Sequence, residues 1–294
     1  MVLLRDLTDA KGERMDALKR EVIKMIRTDR FKDGKQHIVT MSYDDGPDTD
    51  LKLIEIFNKY GIKGTFNLIS GSFDNPNNWL QAKDVPTVYA GHEIACHTVT
   101  HPHLEFLTPK AQYDELMSCR LSLEKASGQI VRGLAFPFGT WSDDTLNAMR
   151  VAGLVYSRAV EPTSSFLFPE NFMTWRPTNH HNQCMPNVDQ LIHNITKAPW
   201  RVGSLLYIWG HSYEFRPQND NNWELIDTVC QKLAEHSESI WFATNIEVVD
   251  YKNAISQIQI SADEKVIRNP TAIDLWVSCD KEPLKIPAGE TVRL

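Results

Sequence analysis

Apolar and polar positions fall into blocks along this chain. Short apolar runs end on polar residues, and longer segments with apolar residues at helical spacing follow them. HIVTMSY (37–43) reads as a strand. DTDLKLIEIFNKYG (48–61) after it reads as a helix capped by Asp48 or Thr49 and stopped at Gly61. GTFNLIS (64–70) and GHEIACH (91–97) are the next strands, before a helix from about Thr108 to Ala126 with a Thr-Pro start. VRGLAFPF (131–138) precedes SDDTLNAMRVAG (142–153), a helix that begins on a Ser cap. LVYSRAV (154–160), FMTWRPT (172–178), SLLYIWG (204–210) and IWFATNI (240–246) are further strands. NVDQLIHNIT (187–196) and NNWELIDTVCQKLAEH (221–236) are further helices, and Met15–Ile26 reads as an amphipathic opening helix.

About eight strand-like segments linked mostly by helices argue for a parallel sheet. At 294 residues a closed or nearly closed (β/α) barrel is the natural candidate. The helical stripe stops near Ile255. The remaining short alternating runs, LWVSC and TVRL, are broken by turn residues and predict a small C-terminal β appendage of hairpins. The expected organisation is a helical extension over 1–35, a barrel over 36–254, and an appendage over 255–294 packed on that barrel.

Composition narrows the function classes. The formal net charge is −7 and no run of Lys or Arg occurs, which excludes a nucleic-acid footprint. No apolar stretch approaches a membrane span. The five Cys are scattered without a C-x-x-C pair, so neither a disulfide framework nor a Cys-based zinc site is expected. Reduced thiols and the lack of a signal-peptide core lean towards a cytoplasmic location.

Unusual polar residues cluster where the strands end: Asp44-Asp45, HTVTHPHL, FPFGTWSDD, PTNHHN and GHSYEF. In a (β/α) barrel these ends meet at the C-terminal mouth. His97 and His101 are four apart, and with Asp45 they make a two-His-one-carboxylate set that leaves positions open on a metal. The plainer reading of Asp45 to Asp48 is a strand-to-helix turn, which explains Gly46, Pro47 and Asp48 but not two carboxylates on an apolar strand end. His211 follows another apolar strand and stands where a general acid is needed; its plainer role is a strand–loop His bonded to backbone. His180 and His181 either line the substrate site or are ordinary loop residues after Pro177.

These residues resemble the polysaccharide deacetylases of carbohydrate esterase family four, the NodB-homology family. The family's first motif, T/S-F/Y-D-D-G-P, stands as Ser42-Tyr43-Asp44-Asp45-Gly46-Pro47, and its second, H-S/T-x-x-H-P, as His97-Thr98-Val99-Thr100-His101-Pro102. The resemblance covers roughly Gln36 to Asn245. It implies a distorted, TIM-like (β/α) barrel of seven or eight strands and a hydrolase that removes N- or O-acetyl groups from a saccharide. It also implies Asp44 as base, with Asp45, His97 and His101 holding a divalent metal. Zn²⁺ is the first choice, with Co²⁺, Ni²⁺ or Mn²⁺ as alternatives. The backbone N–H of Phe138 is implied as an oxyanion donor.

The chain departs from the family pattern in three motifs. The third, R-x-P-Y/F, reads Ala135-Phe136-Pro137-Phe138, so the Arg that pairs with the base is Ala. Arg176 is one candidate substitute, and a differently tuned base is the other. The fourth, D-x-x-D-W, keeps only Trp175. The fifth, L-x-H, reads Trp209-Gly210-His211, and Glu214 is a candidate partner for His211. Pro137, Phe138, Trp175, Arg176, His180, His181, Trp209 and Tyr213 are the expected substrate-lining residues. Two competing readings are a small-molecule cyclic amide hydrolase on the same fold, lidded by PTNHHN, and a degenerate carbohydrate-binding protein.

Overall fold

The run His37–Asp45 is buried over eight of its nine positions. A strand buried on both faces belongs in the middle of a sheet covered on both sides. The computed structural model, which describes residues 25–294 other than 74, 76, 78 and 217–222, places it there. Strand β1 is Ile26–Arg27, and β2 is His37–Asp45. Then follow α1 (Asp50–Lys59), β3 (Thr65–Leu68), α2 (Val85–Val88), β4 (Glu93–Cys96), α3 (Pro109–Ser127), β5 (Gly133–Ala135), α4 (Asp143–Val151) and β6 (Tyr156–Arg158). The second half has β7 (Asn179–His180), α5 (Met185–Lys197), β8 (Ser204–Gly210), α6 (Trp223–Ala234), β9 (Ile240–Phe242) and α7 (Asn245–Ile255). Short strands β10 (Gln259–Ile260), β11 (Val266–Arg268), β12 (Leu275–Cys279), β13 (Glu282–Ile286) and β14 (Thr291–Arg293) close the chain.

Strands β2 to β9 form one parallel sheet in the order β6-β5-β4-β3-β2-β8-β7, with β9 also on β2. Strand β8 pairs with β2 from His37 to Tyr43 and so takes one edge. Strands β9 and β3 share the other, at residues 37–39 and 42–45. This split distorts the barrel. Among the described residues only an isolated bridge, Arg158 to Trp175, extends the sheet beyond β6, so the barrel curls without closing there.

The helix ends follow local chemistry. The Thr108 and Ser142 side chains accept the backbone N–H of Ala111 and Thr145, and Ser142 completes a capping box. Gly128 ends α3 in the left-handed region at φ 69°. Two sequence expectations need correction. FMTWRPT is a 3₁₀ turn at Phe172–Thr174 followed by the bridge, because Trp175 drops into the core against Tyr156 and Tyr207. The neighbouring sheet position is taken instead by β7, from PTNHHN. The opening helix lies outside the described residues as far as 24, and Ile26 is in strand β1, paired with Cys279 of β12.

Antiparallel sheets β1-β12-β13 and β10-β11-β14 make up the small β structures. Tyr251 of α7 ties one of them to the barrel: its hydroxyl accepts the Trp276 N–H at 3.0 Å and donates to the Arg30 carbonyl at 3.1 Å.

One buried carboxylate binds several elements together. Glu93 accepts from Thr65 Oγ1 and the Ile246 N–H, each at 2.9 Å, and from the Tyr156 hydroxyl at 2.7 Å. Those elements are β3, α7 and β6. Burial pushes its carboxyl up to about 7 from an ordinary 4.5, against the pull of the three donors. Two outcomes are expected in urea titrations. Glu93→Ala, which orphans three donors, lowers stability by about 3 kcal/mol. Glu93 holds a proton in the folded chain that the unfolded chain has lost between pH 4.5 and 7. Wild-type stability relative to Glu93→Gln therefore falls as pH rises through that window.

Candidate active site

The mouth of the sheet gathers Asp44, Asp45, His97, His101 and His211. Asp44 and Asp45 leave adjacent positions of one strand and therefore meet different surroundings. The Asp45 backbone has φ 79°, Thr98 66°, His101 56° and Phe138 59°. None is glycine and Thr98 is β-branched, so their surroundings hold all four against preference. For the His97–His101 loop those surroundings are visible. Thr98 Oγ1 accepts the His101 N–H at 2.9 Å. Glu115, on α3, accepts the N–H groups of Val99 and Thr100 at 2.8 and 3.0 Å and the Thr100 hydroxyl at 2.7 Å. Gly71 lets the loop approach: a Cβ there would stand 2.3 Å from the Val99 carbonyl oxygen.

This loop, rather than a helix, brings the two histidines together. Ligand atoms of Asp45, His97 and His101 lie within 4.8 Å of one another. His97 Nε2 is 3.1 Å from His101 Nε2 and 3.4 Å from Asp45 Oδ1. The Ala135 carbonyl, 2.8 Å from His97 Nδ1, can only accept a hydrogen bond. The proton of His97 therefore sits on Nδ1, and a lone pair on Nε2 faces the cluster. Asp45 Oδ1 is buried and has no hydrogen-bond donor. Burial lowers His97 to about 4 and also lowers His101, while burial and Asp44 raise Asp45 to about 6. A donor-free carboxylate oxygen beside the Nε2 lone pair of His97 and the Nε2 of His101 fits a divalent cation.

Asp44 is tuned the opposite way. Its Oδ1 accepts from Asn67 Nδ2 at 2.8 Å, and its Oδ2 is ion-paired with the Arg158 guanidinium. Burial pushes its carboxyl up, but Arg158, His97, His211 and the Asn67 amide outweigh burial and hold it below the ordinary carboxylate range. Arg158 is 0 % exposed, and its guanidinium carbon lies 4.3 Å from the ring centroid of Trp209. In the sheet register Arg158 stands directly beside Ala135, and Asn67 beside Asp44. The cation missing at 135 is thus supplied from the next strand. Arg176 is exposed, which corrects its candidacy as the substitute.

His211 Nε2 is 4.0 Å from Asp44 Oδ2, and its Nδ1 is 3.2 Å from Glu214 Oε1. Burial lowers His211, but Glu214, Asp44 and Asp45 outweigh it and raise it above its ordinary value. Glu214 is in turn held far below the carboxylate range: His180, His181 and His211 overcome the effect of its burial.

The expected substrate-lining residues divide. Phe138 is 50 % exposed, edge-on to His101 and stacked on His103 at 3.9 Å. Tyr213 stacks on His211 at 5.0 Å, and the edge of His180 meets Trp209 at 4.8 Å. Trp175, Pro137 and His181 are buried, which corrects their placement on a substrate surface. His181 lies between Tyr43 and Phe215, and it fits only because residue 210 is glycine, where a Cβ would stand 1.9 Å from its Nδ1. PTNHHN is no lid, since Asn179–His180 is a strand of the sheet. Sequence reasoning missed Asn67 and Arg158. A lone Arg at the end of the apolar run LVYSRAV was the available signal for the second.

Residues 31–157 match the family model described as polysaccharide deacetylase. A chitooligosaccharide deacetylase from Bradyrhizobium sp. (strain ANU 289) is 29% identical over 119 residues, 40% of this chain and 52% of that protein. Another from Sinorhizobium fredii is 30% identical over 124 residues, 40% of this chain and 54% of that protein. The chain spans about half the length of the curated relatives it matches. A crystal structure from Mycobacterium smegmatis, provisionally described as a polysaccharide deacetylase, aligns with a TM-score of 0.56 at 14% identity over 77% of this chain and 93% of that one. At that identity the likeness concerns the fold.

The ion pair at the centre of the site has a measurable consequence. Arg158→Ala leaves the Asp44 carboxylate buried without its cation and is expected to destabilise the fold by about 3–5 kcal/mol in chemical denaturation. A loss under about 1 kcal/mol would mean that Arg158 does not carry this pairing.

Proposed function

Because the chain matches the polysaccharide deacetylase family over residues 31–157, we propose that it is a metal-dependent hydrolase removing acetyl groups from an N- or O-acetylated saccharide. One observation carries this reading. The cluster of Asp45, His97 and His101 lies beside a carboxylate, Asp44, whose Oδ2 is 3.9 Å from His97 Nε2 and 4.0 Å from His211 Nε2. Ligand set, base and acid are then within one site.

Asp45, His97 and His101 would hold the ion, which supplies an acidic bound water and a Lewis acid for the acetyl carbonyl. Asp44 accepts the proton of the attacking water. Arg158 and Asn67 keep Asp44 ionised and fix both its oxygens. The Phe138 N–H, presented by a left-handed residue, serves the carbonyl oxygen. His211 delivers a proton from Nε2 to the leaving amine or alcohol, while Glu214 holds its Nδ1–H. The exposed rings of Phe138 and Trp141 offer faces to a sugar, and a strand in place of a lid supports a substrate longer than one ring.

Acetate release from a panel of acetylated saccharides, with and without added Zn²⁺ or Co²⁺, tests the reading. Release that depends on metal is expected; no release from any member overturns it. His211→Ala is expected to lower kcat by on the order of 10²–10⁴-fold. Asp44→Asn with unchanged turnover would remove Asp44 from the base position.

A further inference from the structure

The candidate acid belongs to a second cluster as well. Glu214 Oε2 is 3.0 Å from His180 Nε2 and 3.1 Å from His181 Nε2, and its Oε1 is 3.2 Å from His211 Nδ1. One ligand atom each from His180, His211 and Glu214 lie within 4.8 Å of one another. Their side chains are 22%, 20% and 24% exposed, so ions reach them from water, whereas His181 is walled in at 1%. The cluster is built on the sheet, where β7 pairs with β8 and His180 stands beside Trp209. Two imidazole nitrogens and a carboxylate oxygen are a donor set for borderline divalent ions such as Zn²⁺. Ligand atoms on tetrahedral zinc stand about 3.3 Å apart; here His180 Nε2 is 3.0 Å from Glu214 Oε2 and His211 Nδ1 is 3.2 Å from the other oxygen, Oε1.

We propose that His180, His211 and Glu214 form a second divalent-cation site, filled after the Asp45 site, whose occupation withdraws His211 from proton transfer. The order of filling follows from where the protons are. At the Asp45 site a donor-free carboxylate oxygen and the Nε2 lone pair of His97 already face each other at 3.4 Å. At the second site His180 Nδ1 accepts the Asn182 N–H at 3.4 Å, so its Nε2 carries a proton directed at Glu214. An incoming ion moves that proton from Nε2 to Nδ1 and breaks the long Asn182 contact. A doubly protonated His211 releases its Nδ1 proton to solvent and keeps the one on Nε2. His211 is then a neutral ligand whose remaining N–H is a far weaker acid than imidazolium. His181 Nε2 stays 3.1 Å from Glu214 Oε2, behind the carboxylate. The loss of activity rests on the reading of His211 as acid; the ion count does not.

Zinc bound per full-length chain is counted by equilibrium dialysis, with circular dichroism as the check of folding. Wild type is expected to bind two ions, and Glu214→Gln, His180→Ala and His101→Ala one each. His180→Ala, at a partly exposed edge, decides the matter if Glu214→Gln does not fold. Wild-type turnover is expected to fall on the order of 10²-fold from one equivalent to excess zinc, as for loss of a general acid, and this fall is absent in His180→Ala. A wild-type count that neither Glu214→Gln nor His180→Ala lowers overturns the proposal. A count lowered by those two but untouched by His101→Ala keeps this site and removes the Asp45 one.

Discussion

The ion pair between Asp44 and Arg158 is the constraint on which the mouth of this barrel depends. Both groups are buried, and an unpaired buried charge is too costly to keep. Once Asp44 is fixed by Arg158 on one oxygen and Asn67 on the other, the oxygen paired with Arg158 also stands within 4.0 Å of His97 Nε2 and His211 Nε2. Trp209 closes over the guanidinium. The Trp209 ring, on β8, thus covers a cation held on β6, a strand with which β8 does not pair.

Two adjacent carboxylates thereby acquire different properties. Asp44 meets a cation and an amide and stays ionised; Asp45 meets burial and its neighbour's charge and is pushed up to about 6. Environments that drive neighbouring titratable groups apart separate their roles. The strained backbone at Asp45, Thr98, His101 and Phe138 is the local cost of aiming these groups inward. Glu115 and the close approach at Gly71 hold the His97–His101 part of that strain from outside the site.

On the far side, Glu214 collects three imidazoles on one carboxylate. Its position three residues after His211 makes a capping box in which side chain and backbone hold each other. The arrangement sets the direction of the His211 ring and joins it to strand β7, so that the sheet edge and the reacting edge of the site form one hydrogen-bonded unit.

Much of this was legible in the sequence. The alternation of apolar runs and helical stripes is local, so the order of strands and helices could be read directly, and strand ends marked by Asp44-Asp45, HTVTHP and GHSYEF named the mouth. Trp175 and FMTWRPT misled because an apolar aromatic run has the same period-free pattern in a strand and in a packed turn. What replaces the Arg absent at 135 was decided only by tertiary structure. Arg158 is 23 residues away in sequence and one register position away in space, and register is set by the whole sheet. The same holds for Asn67 beside Asp44 and for His181 behind Gly210. Residue types and spacing determined which chemistry this chain could hold; strand pairing determined which charges face one another.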